Sequence, residues 1–239
     1  MPRIVSLIPG DAEIVAALGR SKQLVGRSHE CDWPPGVERL PACTEPKLNL
    51  DKDSAEIGRR VTMLVERGLS VYKVQADALR DLRPEIIVTQ SQCDLCAATL
   101  EEVQRAVDEV LDGEARVVSL EPTTLEQVWE DFRRIARALN RPQAGNVLAE
   151  EVKARMRAIA RRAEAIEGRP SVAFIEWLDP LMVAGNWMPE LVEMGGGRNL
   201  FTKAGENSRR LGWEELVEAD PDVILMIPCG SDTPRTRRE

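Results

Sequence analysis

Four cysteines, each following a short apolar run, are the side chains best suited to chemistry. Cys31 lies in Ser28-His29-Glu30-Cys31-Asp32-Trp33, after Leu24-Val25-Gly26. Cys93 and Cys96 form a C-x-x-C after Glu85-Ile86-Ile87-Val88-Thr89, and Cys229 follows Val223-Ile224-Leu225-Met226-Ile227. Each run reads as a strand, and in an open α/β sheet ligands bind at the carboxyl ends of strands. Four thiolates converging there suit tetrahedral zinc or an iron–sulfur cluster. A reversible Cys93–Cys96 disulfide and inert buried thiols are the competing readings. The fifth cysteine, Cys43, reads as a small buried hydrophobe.

His29 is the single histidine of the chain. Its imidazole can ligate a metal, including the cobalt of a corrinoid, or can simply hydrogen-bond within its loop. Trp33, Trp177 and Trp187 fall beside expected strand ends, where flat apolar side chains suit a large planar ligand. Ser28, Glu30, Gln90 and Glu176 sit at the same strand ends and complete the candidate ligand-binding set. Trp129 and Trp213 fall within or at the start of helical patterns and are assigned to packing. A Gly-x-Ser-x-Gly elbow, a P-loop and a His-Glu-x-x-His motif are all missing from the sequence, so no enzyme activity is expected.

The elements that must position these residues alternate strand and helix. Arg3–Leu7 reads as a first strand, Pro9-Gly10-Asp11 as a turn, and Asp11 as the N-cap of a helix over Ala12–Leu18. Strand, helix and strand with short connections predict a βαβ unit and a parallel sheet. Helices are expected over Ala55–Arg67, Ala76–Leu82 and Thr99–Val110, the last with Thr99 and Glu102 at capping-box spacing. Residues 1–121 thus form one α/β lobe. Residues 122–168 carry an amphipathic helix and then a long helix over Gln143–Ile166. Residues 169–239 start a second α/β lobe that stops short, with Asp232 capping a final helix start.

The 239 residues include 43% hydrophobic side chains, enough for a real core, and carry a net charge of −8. That acidic balance argues against a nucleic-acid partner, and no apolar stretch reaches the length of a membrane span. Met1-Pro2-Arg3 leads directly into Ile4–Ile8 without the pattern of a signal peptide. If Met1 is the native start, the chain is expected in the cytoplasm, where a C-x-x-C reads as metal or redox chemistry.

Ile4-Val5-Ser6-Leu7-Ile8-Pro9-Gly10-Asp11-Ala12-Glu13-Ile14 resembles the opening of the cobalamin and iron-siderophore substrate-binding proteins of ABC importers. Further similarities follow in the same order: Asp32-Trp33-Pro34-Pro35, Leu82-Arg83-Pro84-Glu85-Ile86-Ile87-Val88, and Glu190-Leu191-Val192-Glu193-Met194-Gly195-Gly196-Gly197-Arg198-Asn199-Leu200-Phe201. The resemblance implies two Rossmann-like lobes joined by a long rigid backbone helix, with a small-molecule ligand in the cleft between them. It implies cobalamin or a related corrinoid as the first ligand, and an ABC permease as partner, docked through one acidic residue per lobe at Asp77 and Glu214. The alternative is a cytoplasmic iron–sulfur or zinc protein that uses the same scaffold for electron transfer or metal handling.

Overall fold

Strands whose two faces are both covered need apolar side chains at every position, and the first lobe is built on such runs. The computed structural model describes residues 1–67, 69–91 and 98–239. The chain starts with β1 (Ile4–Ser6), α1 (Pro9–Ala17), β2 (Leu24–Gly26), β3 (Thr44–Pro46) and α2 (Ser54–Glu66). It continues with β4 (Tyr72–Val74), α3 (Ala76–Leu82), β5 (Ile86–Gln90), α4 (Leu100–Val110) and β6 (Arg116–Leu120). Next come α5 (Leu125–Ala138), the long α6 (Pro142–Glu164), β7 (Ser171–Trp177), β8 (Met182–Val183) and α7 (Met188–Met194). Last are β9 (Arg198–Asn199), β10 (Arg209–Arg210), α8 (Trp213–Ala219), β11 (Val223–Met226) and α9 (Thr233–Arg238). The protein is α/β and falls into two compact units. The first comprises Met1–Leu50, Arg60–Glu121 and Trp129–Ala149; the second comprises Asp51–Arg59, Pro122–Val128 and Glu150–Glu239.

In the first unit β2-β1-β5-β6 form a parallel sheet, with Ile4, Val5 and Ser6 of β1 opposite Ile86, Ile87 and Val88 of β5. Alternation along each strand sends side chains to opposite faces. Ile4, Ile86 and Val88 pack with α1 and α5, through Val15, Leu18, Ile135 and Leu139. Val5 and Ile87 pack on the other face with Leu79 of α3 and Val103 and Val107 of α4. Thr99 caps α4 as its spacing predicts, its hydroxyl accepting from Glu102 N at 3.2 Å.

Two features depart from expectation. Helix α1 starts at Pro9, which suits the first helical position because its missing N–H has no intrahelical partner there. Asp11 is therefore inside the first turn rather than capping it, and it is buried at 3% exposure. The second departure is an antiparallel pair, β3 with β4, in which Thr44 faces Val74, Glu45 faces Lys73 and Pro46 faces Tyr72. Three residues per strand are too few to show a period.

β2 leaves no room for a side chain at Gly26. A Cβ there would meet Cys43 Sγ at 2.6 Å, Leu82 Cδ1 at 2.7 Å and Val5 Cγ2 at 3.1 Å. Overpacking of this kind typically costs about 1–3 kcal/mol. Gly26→Ala is expected to lower the urea midpoint accordingly, and an unchanged midpoint would show that the contact relaxes freely.

The second unit centres on β7. Its sheet runs β10-β8-β7-β11, with β9 also paired to β7. β11 and β9 are parallel to β7, and β8 is antiparallel to it. Ala173 and Ile175 of β7 pack with Val183, Leu211 and Leu216, while Val172 and Phe174 pack with Ala184 and Val192. Asp232 caps α9, accepting from Arg235 N at 2.7 Å, as its position predicts.

Candidate functional site

The loop after β2 is fastened along its whole length. Arg27 N donates to Pro41 O at 3.0 Å, and Arg27 O accepts from Cys43 N at 2.7 Å. The Arg27 guanidinium donates to the carbonyls of Ser28 (2.8 Å), His29 (3.1 Å), Glu38 (3.1 Å) and Leu40 (3.2 Å). Charge-assisted bonds are stronger than neutral ones, so this one side chain fixes the loop's path. The short β3–β4 pair then supplies the partners that orient His29.

Thr44, at the start of β3, accepts from His29 N at 3.1 Å and lies 2.8 Å from His29 Nδ1. Its own hydroxyl proton goes to Ser28 Oγ at 3.2 Å. With that proton spent, Thr44 can only accept from the ring, and the network assigns the proton of the neutral imidazole to Nδ1. Nε2 is left as the bare acceptor. It is buried and has no hydrogen-bond partner among the described residues. Burial is the largest influence on the ring and holds its pKa below the ordinary 6.5; Glu30 opposes the shift and Arg27 adds to it. The imidazole is thus neutral at pH 7, the state a metal ligand requires.

Tyr72 of β4 completes the group. Its ring is tilted 49° to the imidazole at a centroid distance of 5.0 Å, and its hydroxyl donates to Glu30 Oε1 at 2.9 Å. Ser28 Oγ also accepts from Glu30 N at 3.3 Å. Ser28, His29 and Glu30 are therefore together, and Thr44 and Tyr72 are the residues that sequence reasoning missed. The β-rich run Val71-Tyr72-Lys73-Val74 was the available signal for the second of them. Trp33, 45% exposed, lies in the same loop, and Gln90 ends β5, half-buried.

The other expected site residues lie in different settings. Glu176 in β7 is raised above the ordinary carboxyl range by burial, with a Ser208 hydrogen bond opposing the shift. The Trp177 indole N–H is committed to backbone carbonyls, at 2.9 Å to Asp179 O and 3.3 Å to Ser54 O. Trp187 is the half-buried residue preceding α7. Asp77 is exposed on α3 and paired with Arg80 at 2.5 Å; Glu214 is exposed in the first turn of α8. Trp129 is buried edge-on against Phe132 as expected, but Trp213 is 67% exposed and does not pack.

The four-thiol centre gains no support. Cys93 and Cys96 lie outside the described residues. Cys31 is buried in the apolar core with Ile4, Val15 and Leu24, and burial pushes its thiol up to about 11, so it is protonated at neutral pH. Cys229 is exposed, in the second unit. Among the described residues no group of three His, Cys, Asp or Glu side chains is placed to hold a metal ion. Cys43 is fully buried, the small hydrophobe expected.

The first of the two α/β units thus carries an anchored loop with a polar cluster at the carboxyl end of β2. The chain belongs to the periplasmic binding protein family, whose model matches residues 4–237. It is a binding protein for a small molecule, not an enzyme. Among curated relatives, the vitamin B12-binding protein of Photorhabdus laumondii is 21% identical over 227 residues, covering 94% of this chain and 70% of that protein. Among solved structures, the apo periplasmic heme-binding protein RhuT of Roseiflexus sp. RS-1 is 24% identical with a TM-score of 0.69, covering 99% of this chain and 86% of that one. The periplasmic vitamin B12-binding protein BtuF of Vibrio cholerae is 17% identical with a TM-score of 0.66, covering 94% and 76%. These structures share the fold. Typical members of the family are periplasmic, which differs from the cytoplasmic placement expected from the first residues. Among the described residues no helix is long and apolar enough to cross a membrane.

Proposed function

We propose that the protein is the substrate-binding component of an ABC importer and captures a metal-bearing corrinoid, cobalamin first, with His29 Nε2 as an axial ligand of the metal. The observation that carries this reading is the partnerless Nε2 of an imidazole whose other nitrogen lies 2.8 Å from Thr44 Oγ1. A metal-ligating histidine characteristically donates its second N–H to a fixed partner, which sets ring orientation and raises basicity. A buried acceptor without a partner costs about 1–3 kcal/mol, and a metal bond relieves that cost. Trp33, exposed in the same loop, offers flat surface for a macrocycle, while buried Tyr72 packs against the imidazole. The reading also fits relatives named for vitamin B12 and heme.

The test is an absorption titration of the full chain with aquocobalamin and, separately, with hemin. The proposal expects saturable binding of aquocobalamin with the spectral shift of imidazole replacing axial water. Saturation by hemin alone would move the ligand to a porphyrin, and binding of neither would remove the reading. Thr44→Val keeps the imidazole but removes the hydroxyl that orients its ring and accepts from its backbone N–H. It is expected to weaken binding by about 10–100-fold, the usual cost of losing such a partner.

Asp77 and Glu214 are proposed as the permease-docking acids, supported by their exposure and by one lying in each unit. Charge reversal at both is expected to abolish importer stimulation in proteoliposomes without changing ligand affinity.

A further inference from the structure

His29 has an acidic neighbour whose position is fixed and whose charge is left without a cation. The Glu30 carboxylate is held by Tyr72, whose ring centroid lies 5.0 Å from that of the imidazole and whose hydroxyl donates to Glu30 Oε1 at 2.9 Å. Glu30 N is fastened as well, donating to Ser28 Oγ at 3.3 Å. The residue is half-buried, a setting in which a charge is screened less than in open water. Two further charges act on the imidazole, Arg27 and Glu45. The Arg27 guanidinium donates to four backbone carbonyls and to no carboxylate. Glu45 lies 3.4 Å from Lys73, which faces it across the β3–β4 pair. The remaining charged side chains of the loop, Asp32, Glu38 and Arg39, are exposed, and Glu38 Oε2 accepts from Gly36 N at 2.9 Å. From Arg27 to Glu45 the loop therefore sets two arginines against four acids. Among the described residues the hydrogen bond on the Glu30 carboxylate comes from a neutral hydroxyl.

We propose that Glu30, given His29 as the metal ligand, is the residue that selects the ligand by charge: it admits a cationic metal macrocycle with carboxamide side arms and disfavours one whose side arms are carboxylates. A macrocycle coordinated at the imidazole brings its side arms over the same loop. A carboxylate arm there meets Glu30 and finds the Arg27 donors already spent on carbonyls. Desolvating two like charges side by side costs affinity, and that cost discriminates between otherwise similar ligands. A carboxamide arm instead presents N–H groups, which the carboxylate can accept in a charge-assisted bond. The metal centre adds to the same selection. Cobalt(III) in a monoanionic corrin with carboxamide arms makes aquocobalamin a net cation. Iron(III) in a dianionic porphyrin with two propionates makes hemin a net anion.

The test is a pair of absorption titrations of the full chain, one with aquocobalamin and one with aquocobalamin whose peripheral carboxamides have been hydrolysed to carboxylates. The two ligands share metal and ring and differ in side-arm charge. The wild-type protein is expected to bind the carboxylate form at least about tenfold more weakly, or about 1.4 kcal/mol. Glu30→Gln keeps a side-chain carbonyl for Tyr72 and removes the charge. It is expected to tighten the carboxylate form about tenfold while weakening aquocobalamin, so that the gap closes. A gain of affinity for one ligand is not what lost packing produces. Should that variant fail to fold, Tyr72→Phe keeps a ring beside His29 and frees the carboxylate, and is expected to narrow the gap at least about threefold. Equal binding of the two forms by the wild-type protein overturns the assignment of Glu30 and leaves His29 as the ligand, as does a gap that neither variant narrows. Saturation by hemin alone overturns it too, and binding of none of these macrocycles removes the reading of His29 together with it.

Discussion

Replacing His29 with alanine is expected to remove the ligand-induced change in the cobalamin spectrum and to weaken binding by at least about tenfold, or about 1.4 kcal/mol. Nδ1 is committed to Thr44 at 2.8 Å, and Thr44 is committed in turn to Ser28 at 3.2 Å. Nε2 is buried without a partner among the described residues, an unmade bond that coordination of the proposed ligand would complete. Removing the imidazole would remove both the proposed metal bond and the relief it would bring. The pH dependence separates this from a packing effect. Burial holds the folded pKa of His29 below 6.5, so protons compete with the metal only below the ordinary histidine range. Wild-type affinity should be flat from pH 8 down through 6.5 and then fall, whereas the alanine variant should show weak, pH-independent binding. A variant that keeps the wild-type spectrum and affinity would remove His29 from the site.

Asp11→Asn is expected to stabilise the protein at pH 8, although it alters a fully buried core position. Burial, assisted by the neighbouring Asp131 charge, raises the folded pKa of Asp11 to about 8 from its ordinary 3.8. Asp131 on α5 is raised to about 6 by its own burial, with Arg134, 3.7 Å away, opposing the shift. Between pH 3.8 and about 8 the folded state holds a proton on Asp11 that the unfolded chain has lost. The unfolded state therefore binds fewer protons, and stability falls as pH rises. The slope from one such group approaches about 1.4 kcal/mol per pH unit. The contribution is fully present below 3.8 and is lost as pH rises through about 8. Asparagine keeps the shape and cannot ionise. The variant should lose most of that slope and exceed wild type at pH 8 by at least about 1 kcal/mol in urea unfolding. Equal slopes in the two proteins would show that Asp11 does not hold its proton.

The pattern of the chain discloses the sheet better than the site. β1, β5 and β6 are legible because strands covered on both faces carry runs of adjacent apolar residues, as Ile4-Val5, Ile86-Ile87-Val88 and Val117-Val118 do. The caps Thr99 and Asp232 are legible because a side chain accepting three residues on is a local event. Thr44 and Tyr72 were not, because each reaches His29 through pairing between segments 28 residues apart in sequence, in strands of three residues. The cysteines misled for the opposite reason. A strand end places a thiol correctly along the chain but does not say whether it points to solvent, as at Cys229, or into the core, as at Cys31.

Because His29 is the single histidine, selective nitrogen-15 labelling of histidine reports on one imidazole. The proposed site requires its Nε2 to be a bare acceptor in the free protein and to become a metal ligand on binding. Nitrogen-15 NMR of the labelled chain tests both halves. A neutral ring with the proton on Nδ1 is expected at pH 7, and a large shift of the Nε2 resonance on adding one equivalent of aquocobalamin. A proton found on Nε2, or an Nε2 resonance unmoved in the saturated complex, would contradict it.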